Sequence, residues 1–239
     1  MTDLLFQTDS YLQDFTAMVI SVDEPNRAIL LDRTAFYPGG GGQVFDTGWL
    51  SYNGIELPVT RARKGPEGVW HVVSGDAPLP PADHLITGQI DWQRRYANMR
   101  THTAMHILCG VVFRDYGAHV TGGDMEPLHG RMDFEFESLT GDLVGVIEEA
   151  VNREVTADRP VRTAILPREE AFQIPDLIRT KINLLPPGIE QVRTVEIVGL
   201  DLQADGGTHV LSTAEVGRMR IADYKSKGKI NKRIYVDLE

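Results

Sequence analysis

Short apolar runs separated by turn residues characterise the first part of the chain. FTAMVISVD, AILLD and VWHVVSG show the loose alternation of half-buried strands, and EPNR and YNG are turn sequences. Turn signals recur about every ten residues, which is typical of a small barrel or sandwich. We therefore predict that residues 1–90 form a small antiparallel β-barrel domain.

The periodicity becomes helical after residue 90. RRYANMRTHTAMHILCGVVFRDYG has helical spacing, contains no proline and ends at a glycine. TGDLVGVIEEAVNREV carries an apolar stripe, and PREEAFQI predicts a shorter helix. Strand patterns occur in GRMDFEFE, in VRTVEIVGLD and in a terminal hairpin around SKGKI. Helices and antiparallel strands in separate runs indicate an α+β domain over residues 91–239.

Composition narrows the class of protein. The chain is 42% hydrophobic and 24% charged, as in an ordinary globular protein. It lacks both the basic start of a signal peptide and the run of about eighteen apolar residues that a membrane span needs, so we expect no membrane partner. A single cysteine, Cys109, excludes an intramolecular disulfide and is expected to be a packed core thiol. These features favour a cytoplasmic protein.

Positive charge is concentrated locally although the net charge is −10. That net charge argues against non-specific coating of nucleic acid. The terminal hairpin nevertheless carries five cations with no acid among them: Lys225, Lys227, Lys229, Lys232 and Arg233. Either a local phosphate contact or a solvated charged face would explain this cluster.

A histidine pair lies in the first predicted helix. HTAMH places His102 and His106 four residues apart, so both imidazoles project from one helical face and can share a metal ion. A zinc peptidase would carry glutamate after the first histidine, where this chain has Thr103. Cys109 lies too far along the helix from His102 to join the same ion. The pair alone could also be incidental.

A second segment, DLQADGGTHV, can complete a metal site. Two histidines leave a tetrahedral zinc ion two ligands short, and Asp205 and His209 can supply them. We expect the intervening glycines to adopt backbone angles closed to other residues, so that the two side chains converge. The two arms together predict a zinc site made by His102, His106, His209 and Asp205.

Five segments, in order, resemble the free-standing alanyl-tRNA editing proteins, which are similar to the editing domain of alanyl-tRNA synthetase. They are TAFYPGGGGQVFDTG, RTHTAMHIL, GAHVTG with GRMDFEF, DLQADGGTHV and KSKGKINKRI. The glycine-rich segment resembles that of the longer forms, which have an N-terminal barrel. The resemblance implies a zinc-dependent hydrolase that removes serine or glycine wrongly attached to the tRNA for alanine.

One position departs from the family pattern. The second arm commonly reads Cys-Gly-Gly-Thr-His, and here the cysteine position holds Asp205. A carboxylate keeps the charge of a thiolate and is a harder zinc ligand. Asp205 can therefore complete the ligand set, or it can stand back and leave three histidines and a water. The zinc ion can in turn activate water or bind the substrate's amino group.

Four further residues are predicted to contact the substrate. The family pattern places Thr121 near the pocket, where its hydroxyl would select serine, since a polar pocket rejects a substrate lacking the matching hydroxyl. Gln203 is expected to lie behind the ligands or to face the substrate. Gly42 and Gln43 belong to a glycine-rich loop expected to border the site without catalysing. That loop could cradle a phosphate, but it lacks the Lys-Ser/Thr of a nucleotide-binding loop.

Two other functions remain open. A non-catalytic module that binds tRNA or an aminoacyl ester would hold a structural zinc with four protein ligands. A generic hydrolase of small esters would have no need of the basic hairpin.

Overall fold

The computed structural model describes residues 2–180 and 188–239. The chain forms two compact units, Met1–Tyr96 and Ala97–Glu239, and the division between them falls inside a long helix. Within the described ranges, no helix is both long and apolar enough to cross a membrane.

The N-terminal unit contains the predicted barrel. Its strands are β1 (Asp3–Leu4), β2 (Asp14–Asp23), β3 (Ala28–Leu31), β4 (Arg33–Thr34), β5 (Gly48–Tyr52), β6 (Ile55–Gly65), β7 (Gly68–Val73) and β8 (Leu85–Ile90). A 3₁₀ helix spans Leu5–Gln7. An antiparallel barrel closes in the order β2-β3-β7-β6-β5-β8, which confirms the prediction. Closure leaves these strands without a free edge.

The barrel core is mainly apolar and contains a buried imidazole. Burial alternates along β8 as it does along the first part of β2, so one face of each strand fills the core. His71 is fully buried, with Nδ1 3.0 Å from the Ile29 carbonyl and Nε2 2.8 Å from the Thr34 hydroxyl. Burial lowers the pKa of His71 to about 4, although the contact with Ile29 opposes this shift. The ring is therefore a neutral member of the core.

A buried ion pair holds the end of the glycine-rich segment. Arg95 is fully buried, and its Nε lies 3.0 Å from both carboxylate oxygens of Asp46. Arg95 also donates to the Ser10 carbonyl at 2.9 Å, and Asp46 accepts the Tyr37 N–H at 2.6 Å. Because both charges are out of water, each depends on the other for compensation.

The C-terminal unit contains most of the long helix and two antiparallel sheets. The helices are α1 (Trp92–Tyr116), α2 (Gly141–Thr156) and α3 (Arg168–Ala171), with a 3₁₀ helix at Thr213–Val216. The strands are β9 (Val120–Glu126), β10 (His129–Glu135), β11 (Val161–Pro167), β12 (Gln191–Ile197), β13 (Asp201–Ala204), β14 (Met219–Ser226) and β15 (Asn231–Leu238). The sheet orders are β14-β15-β10-β9 and β11-β12-β13. The α+β class is confirmed.

α1 is the central element of this unit. Every residue from 101 to 112 is buried, so the helix is covered on all sides. Gly110 lets the start of β13 approach closely, because a Cβ there would lie 3.0 Å from the Asp201 Cβ and 3.0 Å from the Leu200 Cγ. This close approach brings the second arm of the predicted site against the helix that carries the histidine pair.

Candidate metal centre

One face of α1 supplies two imidazoles. His102 and His106 lie one turn apart, and their ring centroids are 5.1 Å from each other. Both residues are buried, at 3% and 6% exposure. Buried polar rings need partners that replace water. Those partners come from the segment around β13.

The turn after β13 supplies the other two groups. Asp205 N–H donates to the Arg193 carbonyl of β12 at 3.0 Å, which extends the strand pairing to residue 205. The Asp205 carboxylate then accepts the Gly207 N–H at 2.6 Å and turns the chain back. His209 returns with its Nε2 3.1 Å from the same oxygen. Neither glycine of the pair has a positive φ, so this turn does not use the left-handed backbone that glycine favours. The Asp205 side chain closes it.

These four residues form one cluster. His102, His106, Asp205 and His209 each place one ligand atom within 4.8 Å of the others. The His209 ring centroid lies 4.2 Å from that of His102 and 4.8 Å from that of His106. His102 Nε2 is 3.4 Å from Asp205 Oδ1. Three imidazole nitrogens and a carboxylate oxygen suit a divalent transition metal, and this group could hold one.

Two members of the cluster, Asp205 and His209, are held in the charge states of metal ligands. Burial alone would raise the pKa of Asp205, but His102 and His209 hold it well below its usual value. Burial, followed by the charge of His102, lowers the pKa of His209 well below its usual value against the effect of Asp205. An ionised carboxylate and a neutral imidazole are the forms that bind metals.

A second carboxylate lies behind His106. Asp201 has a fully buried side chain, and its Oδ2 is 3.3 Å from His106 Nδ1. Burial acts to lower the pKa of His106, but contact with Asp201 and the charges of Asp205 and Asp201 raise it. Arg179 Nε lies 3.2 Å from Asp201 Oδ1. The His106–Asp201 contact is at ion-pair distance, and within the described residues His106 Nδ1 has no hydrogen-bond partner.

Two other polar residues of α1, Thr103 and Asn98, were given no role at the site by sequence reasoning. Thr103, where a zinc peptidase would have glutamate, places its hydroxyl 3.1 Å from His209 Nδ1 and accepts the Val210 N–H at 3.3 Å. Asn98 lies one turn before His102 and is fully buried. Among the described residues, neither amide atom of Asn98 has a hydrogen-bond partner. Only their position on the same helix could have indicated them.

The chain resembles known proteins over its whole length. It is 40% identical over 237 residues to "Alanyl-tRNA editing protein AlaX-M" of Saccharolobus solfataricus, covering 98% of each chain. The chain belongs to the alanyl-tRNA editing protein family. A relative of the same name from Methanosarcina acetivorans is 36% identical over 244 residues, covering 100% of this chain and 99% of the relative.

Alanyl-tRNA synthetases share the same region. The "Alanine--tRNA ligase" of Pyrobaculum neutrophilum is 38% identical over 224 residues, which are 91% of this chain and 25% of the ligase. The model for "tRNA synthetases class II (A)" matches residues 9–94. The model for "Threonyl and Alanyl tRNA synthetase second additional domain" matches residues 192–235, which include Asp205 and His209. The resemblance inferred from the five segments is confirmed.

Two of the residues predicted to contact the substrate, Gln203 and Thr121, lie in different surroundings. Gln203 donates to Asp201 Oδ2 at 2.6 Å, which places it behind the ligands. Thr121 is exposed on β9 and donates to Asn231 Oδ1 at 2.9 Å. None of the described hydrogen bonds joins Thr121 to the four-residue cluster. Its role in substrate selection stays a prediction.

Gly42 and Gln43 belong to the N-terminal unit. Gln43 is buried and forms a reciprocal backbone pair with Gly40, at 2.9 and 3.1 Å. This pairing closes the tight turn that contains Gly42. Their predicted role at the edge of the site is untested by these contacts.

The cations of the terminal hairpin differ in availability. Lys225, Lys227 and Lys229 are exposed. Lys232 is buried and donates to the Gly228 and Lys229 carbonyls at 2.8 and 3.0 Å. Arg233 donates to both oxygens of Asp133, at 2.6 and 2.8 Å. Lys232 and Arg233 therefore stabilise the hairpin, and Lys225 Nζ lies 3.0 Å from Asp223 Oδ2. The exposed Lys227 and Lys229 are the better candidates for a phosphate contact.

Proposed function

We propose that this protein is a cytoplasmic trans-editing hydrolase that deacylates tRNA for alanine mischarged with serine or glycine, using zinc. The observation that carries the proposal is the convergence of three buried imidazoles and one carboxylate within 4.8 Å. It occurs in a chain 40% identical, end to end, to an alanyl-tRNA editing protein.

The reaction is hydrolysis of an aminoacyl ester. The oxygen of water bonds to the carbonyl carbon, the bond from that carbon to the ribose oxygen breaks, and the ribose oxygen takes a proton. His102, His106, His209 and Asp205 would hold the zinc. When bound, zinc supplies a Lewis acid for water and carbonyl, or a ligand position for the substrate's amino group.

The chain's own residues orient the ligands. Asp201, 3.3 Å from His106 Nδ1, would hold the His106 ring in place and strengthen it as a ligand. The Thr103 hydroxyl does the same for His209 from 3.1 Å. Asn98, on the stripe of α1 that carries His102, offers an amide donor and acceptor for the polar groups of a substrate. Burial of the three rings excludes competing water.

A second function is favoured by one observation. The cluster contains four protein donors, which is the full set of a structural zinc site. A non-catalytic module that binds tRNA or an aminoacyl ester would need no open position. Both functions use the same four residues, and they differ in turnover and in the need for an open metal position.

The deciding experiment measures ester loss directly. Purified protein is incubated with seryl-, glycyl- and alanyl-tRNA for alanine, with and without a chelator. We expect the seryl or glycyl ester to be lost, the alanyl ester to persist, and the chelator to stop the reaction. His102→Ala should abolish turnover, whereas His129→Ala, at an exposed histidine outside the cluster, should not.

Persistence of all three esters with metal-loaded protein would reject the hydrolase. If His102→Ala then lowered thermal stability and metal content, the structural-zinc module would replace it. Full activity with chelator and no bound metal would reject zinc while leaving the hydrolase in place.

A further inference from the structure

The glycine-rich loop of the barrel has a backbone suited to an anion. Gly39, Gly40, Gly41 and Gly42 all have positive φ, at 84°, 136°, 57° and 88°. Consecutive N–H groups in turns of this kind form concavities that attract anions. Gly40 N–H is used within the loop, but none of the described hydrogen bonds comes from the N–H of Gly41 or Gly42. Gly41 is exposed to solvent.

Three cations from other parts of the barrel unit lie near this loop or near Phe45, which follows it. The guanidinium carbons of Arg61 and Arg94 lie 5.5 and 5.9 Å from the centroid of the Phe45 ring, just beyond the loop. Lys64 Nζ is 3.9 Å from the point where Gly40 would carry a Cβ. The chain thus supplies from β6 the lysine that the glycine-rich sequence itself lacks.

These cations are not neutralised by the acids near them. The described ion pairs include none with Arg61, Lys64 or Arg94, in a chain whose net charge is −10. Asp46 is committed to Arg95. Asp91 accepts the backbone N–H of Arg94 at 3.1 Å, and its other oxygen lies 3.3 Å from the Thr47 hydroxyl. Positive charge that collects on an acidic protein indicates an anionic partner.

We propose that the Gly41 and Gly42 N–H groups, Lys64, Arg61 and Arg94 form a surface that binds the sugar–phosphate backbone of RNA. Both guanidiniums lie within 6 Å of the centre of the Phe45 ring, and Arg61 and Lys64 are exposed on β6. Such a spread of cations fits successive phosphates better than a single one. The choice of RNA rests on the proposed function, and all residues of this surface belong to the barrel unit.

The test measures binding rather than turnover. Fluorescence anisotropy gives the affinity of the full chain for uncharged tRNA for alanine, at salt concentrations from roughly 50 to 200 mM. The variant is Arg61→Gln with Lys64→Gln. We expect weaker binding and a plot of log affinity against log salt that is shallower by about 2, because each lost phosphate contact lowers the slope by roughly one.

A matched control has the same change in net charge. Arg33→Gln with Arg63→Gln removes two cations of the same unit, one paired with Asp32 and one packed on Trp70. The control should keep the wild-type slope, and tryptophan fluorescence should show that both variants are folded. Equal loss in the two double variants would overturn the proposal, as would an unchanged slope in the first.

Further arms separate the proposal from its alternatives. Displacement of labelled RNA by millimolar inorganic phosphate or a mononucleotide as efficiently as by unlabelled RNA would show a single-anion site and overturn the RNA assignment. Salt-dependent tRNA binding that requires Arg61 and Lys64, in a protein that leaves all esters intact, would support this surface and reject the hydrolase. Ester hydrolysis by the wild-type protein, together with unchanged tRNA binding in the Arg61→Gln, Lys64→Gln variant, would support the hydrolase and reject this surface.

Discussion

Replacing Asp201 by asparagine tests whether the residue behind His106 controls metal binding. Asp201 Oδ2 lies 3.3 Å from His106 Nδ1, and its side chain is fully buried, so solvent does not screen the interaction. The amide keeps the shape but removes the charge that orients and strengthens the imidazole as a ligand. Loss of such a carboxylate partner weakens metal binding by about 10–100-fold, or about 1.4–2.8 kcal/mol.

The assay is competition for Zn²⁺ between the protein and a chromogenic chelator. Asp237→Asn is the matched control, because Asp237 Oδ1 makes the same kind of contact with His129 Nδ1, at 2.5 Å, outside the cluster. Urea unfolding of the metal-free proteins separates lost affinity from lost stability, since Arg179 also loses its carboxylate partner. An affinity within twofold of wild type, or an equal loss in the Asp237 variant, would refute the assignment.

Four further predictions concern both units. Because the folded-state pKa of His71 is about 4, below its usual 6.5, the unfolded chain binds the extra proton. Roughly 3 kcal/mol of stability, present above pH 6.5, is therefore lost as the pH falls towards 4; urea unfolding followed by tryptophan fluorescence should show this loss in wild type and much less in His71→Gln. Arg95→Met leaves the Asp46 charge buried without a partner and should cost about 3–5 kcal/mol in the same assay, and a change below 1 kcal/mol would contradict this. Asp205→Cys should bind Zn²⁺ more tightly in chelator competition, since a thiolate is softer, whereas unchanged affinity would mean that residue 205 is not a ligand. Thr121→Val should slow hydrolysis of the seryl ester more than hydrolysis of the glycyl ester. If the substitution slowed both reactions by the same factor, the Thr121 hydroxyl would have no role in selecting serine.

The sequence alone was enough to predict those elements whose pattern depends on residues close together in the chain. The helical spacing of α1 and the loose strand alternation of the barrel depend on residues close together in the chain. The two metal arms, more than ninety residues apart, could be paired because each has a short recognisable pattern. Asp205 in the cysteine position was visible for the same reason.

Long-range partners could not be predicted in this way. Arg179 and Arg193 reach the site through tertiary contacts that no local pattern encodes. Asp201 reads in sequence as the start of a strand, and only the close approach of β13 to Gly110 places it behind His106. Lys64 likewise reaches the glycine-rich loop from β6, although the sequence showed that the loop itself has no lysine.

The contacts of Asp205 bear on whether it completes the metal site or stands back from it. Its Oδ2 accepts the Gly207 N–H at 2.6 Å and lies 3.8 Å from Arg193 Nη1, so protein donors already hold this oxygen. Oδ2 also lies 3.1 Å from His209 Nε2, whereas Oδ1 lies 3.4 Å from His102 Nε2. A thiolate has one ligand atom and gives it wholly to the ion, whereas this carboxylate can give one oxygen while the other is anchored. We therefore expect Asp205 to be the weakest of the four candidate ligands and the one that a substrate displaces, which would favour the hydrolase over a closed structural site.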